Sequence, residues 1–172
     1  MRTNRPPLLP RDAYVGPRRY FLTFCTDRRA RHFLDADVVG LALAQFLRVG
    51  HAEGFTLLAY CFMPDHVHVL VEGTTADSHL RRFIKLSKQC SGHAFGRAKG
   101  GRRLWQPFAF EHTLRYDADV PRVVRYILEN PVRAGLVTSP QDYPFAGSGT
   151  YQMAETLDAA AWQPPRRGRG RT

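Results

Sequence analysis

Two histidines separated by a single residue, His66 and His68, are the residues of this chain whose types and spacing most clearly suggest chemistry. They lie in PDHVHVLVE (64–72), whose β-branched residues predict a strand. Because side chains alternate faces along a strand, both imidazoles point to one face, while Val67 and Val69 point to the other. Two adjacent imidazoles supply half of a metal site. Such a pair can also be ordinary polar surface, so its interpretation depends on the residues downstream.

A second pair, Tyr126 and Asn130, lies four residues apart in a predicted helix, which places both side chains on one helical face. If this face packs against the histidine strand, Asn130 offers a carbonyl oxygen as a third metal ligand beside the imidazoles, and Tyr126 presents its phenol next to the metal. Two nitrogens and one oxygen leave coordination positions open, as a catalytic metal requires. The alternative is a half-buried tyrosine on an amphipathic helix, with the asparagine as an ordinary helix C-terminal residue.

These four side chains predict a particular kind of phosphate chemistry. A phenol, with a pKa of about 10, is a poor nucleophile at neutral pH. A metal that polarises the scissile phosphate makes its attack easier. The product is a covalent phosphotyrosine, which conserves the phosphodiester energy for later rejoining. Imidazole ligands favour Mn or Zn, and phosphate oxygens can bring in Mg.

Hydrophobic periodicity and turn residues predict the elements that position these groups. Asp35 or Asp37 can cap the first helix and Gly54 can end it, Asp77 or Ser78 can cap the second, and Asp119 can cap the third, with Pro131 as its stop. The second helix has a predicted buried stripe of Leu80, Phe83, Ile84 and Cys90. The predicted strands are 19–26, 55–63, the histidine strand and 108–115; the predicted helices are 35–54, 76–97 and 117–130.

This order predicts an α+β fold of the ferredoxin-like βαββαβ type. In such a fold the sheet is antiparallel and both crossover helices cover one face. The other face is left for the histidines and for an additional C-terminal helix that carries Tyr126.

Composition predicts one domain. The 172 residues are 44% hydrophobic, which suffices for one core, and we expect a basic N-terminal arm (1–18), a catalytic domain (19–151) and a basic, disordered tail (152–172). No apolar run is long enough to cross a membrane or to resemble a signal peptide, so a cytoplasmic location is expected. The three cysteines predict neither a disulfide framework nor a zinc knuckle.

The charge balance favours a polyanionic partner. Lys and Arg number 25 against 15 Asp and Glu, giving a net charge of +10 and a pI near 10.2. Trp105, Phe108 and Phe110 could stack on unpaired bases, although core packing is the favoured interpretation for them. The basic side chains predicted to contact a nucleic acid, for which solvated surface is the alternative, are Arg81, Arg82, Lys85, Lys88, Arg102, Arg103, Arg115 and Arg133.

Two segments, YCFMPDHVHVLVEG (60–73) and RYILENPVRAGLV (125–137), resemble the single-tyrosine HUH transposases, and in particular the REP-associated tyrosine transposases. The resemblance extends from Tyr20 to Val137 and continues in DYPFAGSGTY (142–151). One departure is GPRRY (16–20), which stands where these proteins often carry a Gly-Thr-Tyr motif. Because these proteins act on DNA hairpins, the departure bears on how a hairpin would be recognised.

The resemblance implies roles for the four side chains. His66, His68 and Asn130 would hold Mg²⁺ or Mn²⁺, and Tyr126 would be the nucleophile. The enzyme would cleave single-stranded, hairpin-containing DNA, leaving a 5′-phosphotyrosine and a free 3′-hydroxyl. It would be a bacterial, nucleoid-associated protein acting as a monomer or homodimer. Two alternatives remain open: a domesticated, non-catalytic binder of hairpin DNA, and a metal nuclease that hydrolyses its substrate.

Overall fold

The structure, a computed structural model, describes residues 10–114 and 120–149 and contains one five-stranded antiparallel sheet. The strand order is β4-β1-β3-β2-β5, and each neighbouring pair is antiparallel. This arrangement confirms the predicted ferredoxin-like fold. The elements are β1 (Arg19–Thr26), α1 (Ala36–Glu53), β2 (Phe55–Met63), β3 (His66–Gly73), α2 (Leu80–Ala98), β4 (Trp105–Leu114), α3 (Val120–Leu128), α4 (Asn130–Arg133) and β5 (Ala146–Gly147).

The two faces of the sheet carry separate hydrophobic clusters. On the first face α1 and α2 pack against alternate residues of β1 and β3, among them Leu22, Val67 and Val69. On the second face α3 contributes five buried residues that pack against Phe21, Leu70 and the neighbouring strand β2. The second face is therefore covered only in part, and the histidine side of β3 lies beside α3.

Local signals fix both ends of α1. The Asp35 carboxylate accepts a hydrogen bond from the Asp37 backbone N–H at 2.9 Å, which caps the first turn. At the other end Gly54 adopts a left-handed conformation with φ of 69°. Both predicted boundaries of this helix are confirmed.

The second helix begins later than predicted, at Leu80 instead of residue 76. The residues before it bind to other parts of the chain: the Ser78 hydroxyl donates to Gly54 O at 2.6 Å, and the Ser78 carbonyl accepts from Gly16 N–H at 3.0 Å. These bonds are incompatible with a helical turn at this position. Neither Asp77 nor Ser78 caps α2, whose N-cap residue is His79.

The predicted third helix is divided in the structure. α3 ends at Leu128, and Asn130 begins the short α4, with Pro131 in its first turn, where a missing N–H is tolerated. The predicted cap Asp119 lies outside the described residues. β4 begins three residues before the predicted strand, at Trp105, and places Pro107 on an edge strand, as expected for proline.

The chain joins the fold before the predicted boundary at residue 19. Tyr14 is buried, and the Tyr20 hydroxyl donates to Ala13 O at 2.9 Å. Cys25, Cys61 and Cys90 are free thiols. Across residues 10–114 and 120–149, no helix combines the length and apolarity needed to span a membrane.

Candidate active site

The two histidines of β3 point to the same face of the sheet and meet at their ring nitrogens. His66 Nε2 lies 3.2 Å from His68 Nε2. Two ligands bonded to one metal at about 2.1 Å, with an angle between 90° and 109°, are separated by about 3.0–3.4 Å. The spacing of the two nitrogens is therefore compatible with both imidazoles binding one divalent cation. It equally allows a direct N–H···N hydrogen bond between them.

Hydrogen bonds at the opposite ring nitrogens fix both imidazoles. His66 Nδ1 lies 2.7 Å from Asp65 Oδ1, and His68 Nδ1 lies 2.9 Å from Thr23 Oγ1. An ionised carboxylate only accepts, so this contact assigns the proton of a neutral His66 ring to Nδ1 and leaves the lone pair of Nε2 facing His68. Partners of this kind orient metal-binding histidines in proteins.

Tyr126 of α3 lies beside this pair within the same chain. Its ring centroid is 6.1 Å from that of His68. Phe21 of β1 contacts both, since it stacks on His68 with centroids 5.3 Å apart and meets Tyr126 edge-on at 5.9 Å. Phe21 is buried and therefore forms an apolar floor between the imidazole and the phenol.

Asn130 follows Tyr126 by four residues, at the start of α4. Its Nδ2 is buried and has no hydrogen-bond partner. The nitrogen and oxygen of an amide are assigned from their surroundings, so a rotation by 180° would place Oδ1 in the same position. A buried carbonyl oxygen without a hydrogen-bond donor is chemically suited to a cation, so the amide of Asn130 is compatible with the predicted role as a metal ligand.

Few other side chains near the histidines offer metal ligands. Within residues 10–114 and 120–149, no cluster of three or more His, Cys, Asp or Glu is placed to hold a metal ion. Cys61 is paired with His68 across β2 and β3, and burial raises the pKa of its thiol to about 12, so without a metal the thiol stays protonated at neutral pH. The geometry therefore brings together two imidazole ligands, and the amide of Asn130 stays a predicted third.

Arg133 lies over the Tyr126 ring, its guanidinium carbon 4.2 Å from the centroid. It also donates to the Tyr126 carbonyl and lies 3.5 Å from Glu129 Oε2. Its side chain remains 41% exposed. A cation over a ring face is favourable, so this arginine, predicted to bind DNA, is placed next to the predicted nucleophile.

The basic residues of α2 lie on the other side of the sheet from the histidines. Arg82 forms an ion pair with Glu53 at 2.7 Å, and the Arg81 guanidinium lies over Tyr14 at 4.1 Å. Lys85 is exposed, and Lys88 donates to two backbone carbonyls near the start of β4. The structure does not bring these four residues to the histidine face.

The remaining residues predicted to contact DNA differ in exposure. Trp105 is 5% exposed, and its indole N–H donates to Ser91 Oγ at 2.8 Å, so it packs in the core, as the favoured interpretation had it. Phe108 is exposed and Phe110 packs against Phe21. Arg102 and Arg103 are exposed in the loop before β4, and Arg115 lies outside the described residues.

Several residues of the site were not singled out from the sequence. Phe21 and Thr23 share one face of β1, as the alternation of a strand requires. Their contact with His68 depends on the register that pairs Thr23 with His68, which is set by non-local contacts. Asp65 precedes His66 in MPDH, so its position in the motif was the available signal.

Comparison with known proteins identifies the class to which this fold and site belong. The family model described as "Transposase IS200 like" matches residues 17–130, a range that includes both histidines, Tyr126 and Asn130. The chain therefore belongs to the IS200-like transposase family and is a transposase.

Particular relatives narrow the comparison. A REP-associated tyrosine transposase of Escherichia coli strain K12 is 30% identical over 136 residues, which cover 77% of this chain and 78% of the relative. A Haemophilus influenzae protein named for the same class is 27% identical over 137 residues, with 74% and 77% covered. A solved structure of a REP-associated tyrosine transposase bound to a REP hairpin has a TM-score of 0.67 and 26% identity, covering 81% of this chain and 82% of that one. The resemblance in the sequence to REP-associated tyrosine transposases is confirmed.

Proposed function

We propose that this transposase cleaves and rejoins single-stranded DNA beside a hairpin, through a covalent bond between Tyr126 and a 5′-phosphate. One observation carries the proposal: His66 and His68 place two ring nitrogens 3.2 Å apart, and Tyr126 of the same chain lies next to His68. The choice of a hairpin as the substrate class is supported by the solved relative, which is bound to a REP hairpin.

Tyr126 supplies the nucleophile of this reaction. The Tyr126 oxygen attacks the scissile phosphorus and forms a new P–O bond, while the bond from phosphorus to the 3′-oxygen breaks. The phenol proton passes to solvent, and the leaving oxygen takes up a proton to become a 3′-hydroxyl. In the reverse reaction a 3′-hydroxyl attacks the phosphotyrosine, so the strand is rejoined without an external energy source.

His66, His68 and Asn130 are the residues that would hold a divalent cation, Mg²⁺ or Mn²⁺. A cation bound there would act as a Lewis acid on the scissile phosphate. Phe21 limits the access of water beneath the phenol and fixes its distance from His68. Arg133, half-exposed beside Tyr126, is positioned to contact a phosphate next to the one that reacts.

Beyond the site, the DNA strand would extend over the basic residues of the loop before β4 and of α2. α2 and the histidines lie on opposite faces of the sheet, so a strand that contacts both must pass around the sheet, and we propose that it passes the β4 edge. Arg102 and Arg103 lie in the loop that precedes this edge strand. These contacts would give salt-dependent affinity without reading sequence.

The decisive experiment is to trap the covalent adduct on a labelled single-stranded hairpin oligonucleotide with Mg²⁺ or Mn²⁺. The Tyr126→Phe variant removes one oxygen and is expected to abolish the adduct while the fold is retained. Tyr60→Phe is the matched control, because Tyr60 is a half-buried tyrosine of β2 whose loss should leave the adduct yield near that of the wild type.

The histidines are tested on the same substrate. His66→Ala and His68→Ala are expected to lose cleavage while retaining hairpin binding in a filter assay.

Three outcomes would contradict the proposal. An adduct that persists in Tyr126→Phe would show that Tyr126 is not the nucleophile. Cleavage with no adduct in the wild type would indicate a hydrolytic nuclease, and binding with no cleavage at all would indicate a non-catalytic hairpin binder.

A further inference from the structure

The carboxylate of Asp65 is shared between two partners. Its Oδ1 lies 2.7 Å from His66 Nδ1, and its Oδ2 lies 2.8 Å from Arg29 Nε. Arg29 also donates from Nη1 to Cys25 Sγ at 2.9 Å, and Cys25 is paired with His66 across β1 and β3. One guanidinium thus holds both the carboxylate behind His66 and the strand residue opposite it.

The backbone that presents Arg29 is in an uncommon conformation. Arg28 and Arg29 have φ of 52° and 57°, and they are the non-glycine residues with positive φ in the described part of the chain. Left-handed conformations are costly for residues with long side chains and persist where the surroundings enforce them, often at functional sites.

Surrounding bonds hold this turn in place. The Thr26 hydroxyl lies 2.8 Å from Ala30 O and 2.9 Å from Asp65 O, so its single proton can be donated to either carbonyl. Thr26 N–H donates to Asp65 O at 3.0 Å as well. The turn is therefore attached directly to the backbone of the residue whose side chain Arg29 holds.

We infer that Arg29 is a positioning residue of the active site, which acts through Asp65 to fix the ring of His66 and the tautomer that presents its Nε2 to a divalent cation. The inference rests on the proposed function, since it assumes that the two histidines bind a metal. Arg29 has no role in the predictions from the sequence.

The physical reason lies in the two oxygens of Asp65. Without Arg29, the carboxylate could rotate away from His66 or bind the cation itself, and either change would free the His66 ring. With Arg29, one oxygen is held by the guanidinium and the other stays on Nδ1, so the negative charge strengthens His66 as a ligand without becoming one. The cost of the left-handed backbone is consistent with a role that requires this side-chain direction.

The test measures binding of Mn²⁺ alone to the full-length, metal-stripped protein by electron paramagnetic resonance. Arg29→Asn is the main variant, because asparagine tolerates a left-handed backbone. We expect a loss of Mn²⁺ affinity of about 10-fold, the lower end of effects from outer partners of metal ligands. Asp65→Ala is expected to lose at least as much.

Arg28→Asn is the matched control. It makes the same change of residue and charge at a neighbouring left-handed position, but the Arg28 side chain is 94% exposed and its ion pair is a 4.0 Å contact with Asp27. Its Mn²⁺ affinity should stay within twofold of the wild type.

A second measurement reports the tautomer without metal. In ¹⁵N spectra of histidine side chains, His66 should carry its proton on Nδ1 in the wild type and in Arg28→Asn. Asp65→Ala and Arg29→Asn should show a mixture of tautomers. If Asp65→Ala fails to fold, Asp65→Asn replaces it: its neutral amide loses the ion pair with Arg29 and can turn either its oxygen or its NH2 group to Nδ1, so a mixture of tautomers is expected for it as well.

The outcomes separate this inference from the proposed function. If the wild type binds Mn²⁺ and His66→Ala does not, but Arg29→Asn matches Arg28→Asn in affinity and tautomer, the role of Arg29 is wrong and the metal site stands. If the wild type itself binds no Mn²⁺, the metal site and the inference fail together.

Discussion

Lys88 is a half-buried charge that joins two elements of the fold. Its ammonium group donates to Gln106 O at 2.5 Å and to Pro107 O at 2.8 Å, which joins α2 to the first residues of β4. Burial lowers the pKa of Lys88 to about 8, partly offset by the nearby Cys25. A lysine predicted to contact DNA is thus engaged with the backbone of an edge strand.

This lowered pKa gives a prediction with a definite sign. In the unfolded chain the lysine pKa is 10.5, so between about pH 8 and pH 10.5 the unfolded state binds more protons than the folded state. The contribution of Lys88 to the free energy of unfolding therefore becomes more favourable as pH rises through this range. We expect the stability of the wild type relative to Lys88→Met to increase between pH 7.5 and 9.5, as measured by urea unfolding under reducing conditions.

Lys85→Met is the control for this measurement, because the Lys85 side chain is exposed on the same helix. Its stability relative to the wild type should stay constant over the same pH interval. A difference between wild type and Lys88→Met that does not change with pH would show that the pKa of Lys88 is not lowered in the folded protein.

The candidate site residues could be chosen from the sequence because the signals used are local. Strand alternation predicted that His66 and His68 share one face, which the structure confirms. The pairing of Tyr126 with Asn130 on one helical face stays a prediction, because α3 ends at Leu128 and Asn130 begins α4. Thr23 required the register between β1 and β3, which no local signal fixes. Arg29 required a left-handed backbone that arginine rarely adopts, so its contact with Asp65 could not be predicted.

At the scale of elements, Gly73 is a point where two segments come into close contact. A Cβ atom at Gly73 would lie 2.5 Å from the backbone oxygen of Gly16 and 3.0 Å from Ser78 Cβ. The Gly73 N–H also donates to Arg18 O at 2.9 Å. The end of β3 therefore lies close to both the segment before β1 and the segment before α2. Because the nearest atom is a backbone oxygen, it cannot move aside as the end of a flexible side chain could.

Gly73→Ala is expected to destabilise the protein by about 1–3 kcal/mol, as overpacking in a tight site does. Gly40→Ala is the matched control: Gly40 lies within α1, and its added Cβ would meet nothing within 4 Å. That variant should gain about 0.5–1 kcal/mol from the higher helix propensity of alanine. Urea unfolding measures both changes, and equal effects at the two glycines would contradict the close contact at Gly73.

Element boundaries were predictable where the residues at the ends act locally. Asp35 and Gly54 bound α1 through their own cap and left-handed turn, and both were recognised. The start of α2 was misplaced because Ser78 bonds to Gly54 and Gly16, which are distant in sequence. The prediction that Pro131 ends the third helix was wrong: α3 already ends at Leu128, and Pro131 lies in the first turn of the short helix α4.

For the molecule as a whole, the two faces of the sheet carry hydrophobic clusters with different roles: one forms most of the core, and the other holds the helix of Tyr126. The first face is closed by two long helices and provides most of the core. The second is partly covered by α3, whose buried residues Val123, Val124 and Ile127 pack on the same sheet that carries the histidines. The helix that bears Tyr126 is thus held against its own chain, with the Tyr126 ring 6.1 Å from the His68 ring.

This arrangement predicts that cleavage occurs in cis. A His66→Ala/His68→Ala double variant retains Tyr126, and Tyr126→Phe retains both histidines, so a mixed dimer could restore one site only by exchanging α3 between chains. The two variants are co-expressed with tags of different size, because exchange of a packed helix requires folding together. On a hairpin oligonucleotide with Mn²⁺, we expect no adduct above the sum of the separate variants, while tagged wild type prepared in the same way forms adduct at its usual yield.

The size of an adduct identifies the chain that supplied the phenol, because the two variants carry tags of different size. An adduct on the chain that lacks the histidines would therefore show that the tyrosine acts in trans.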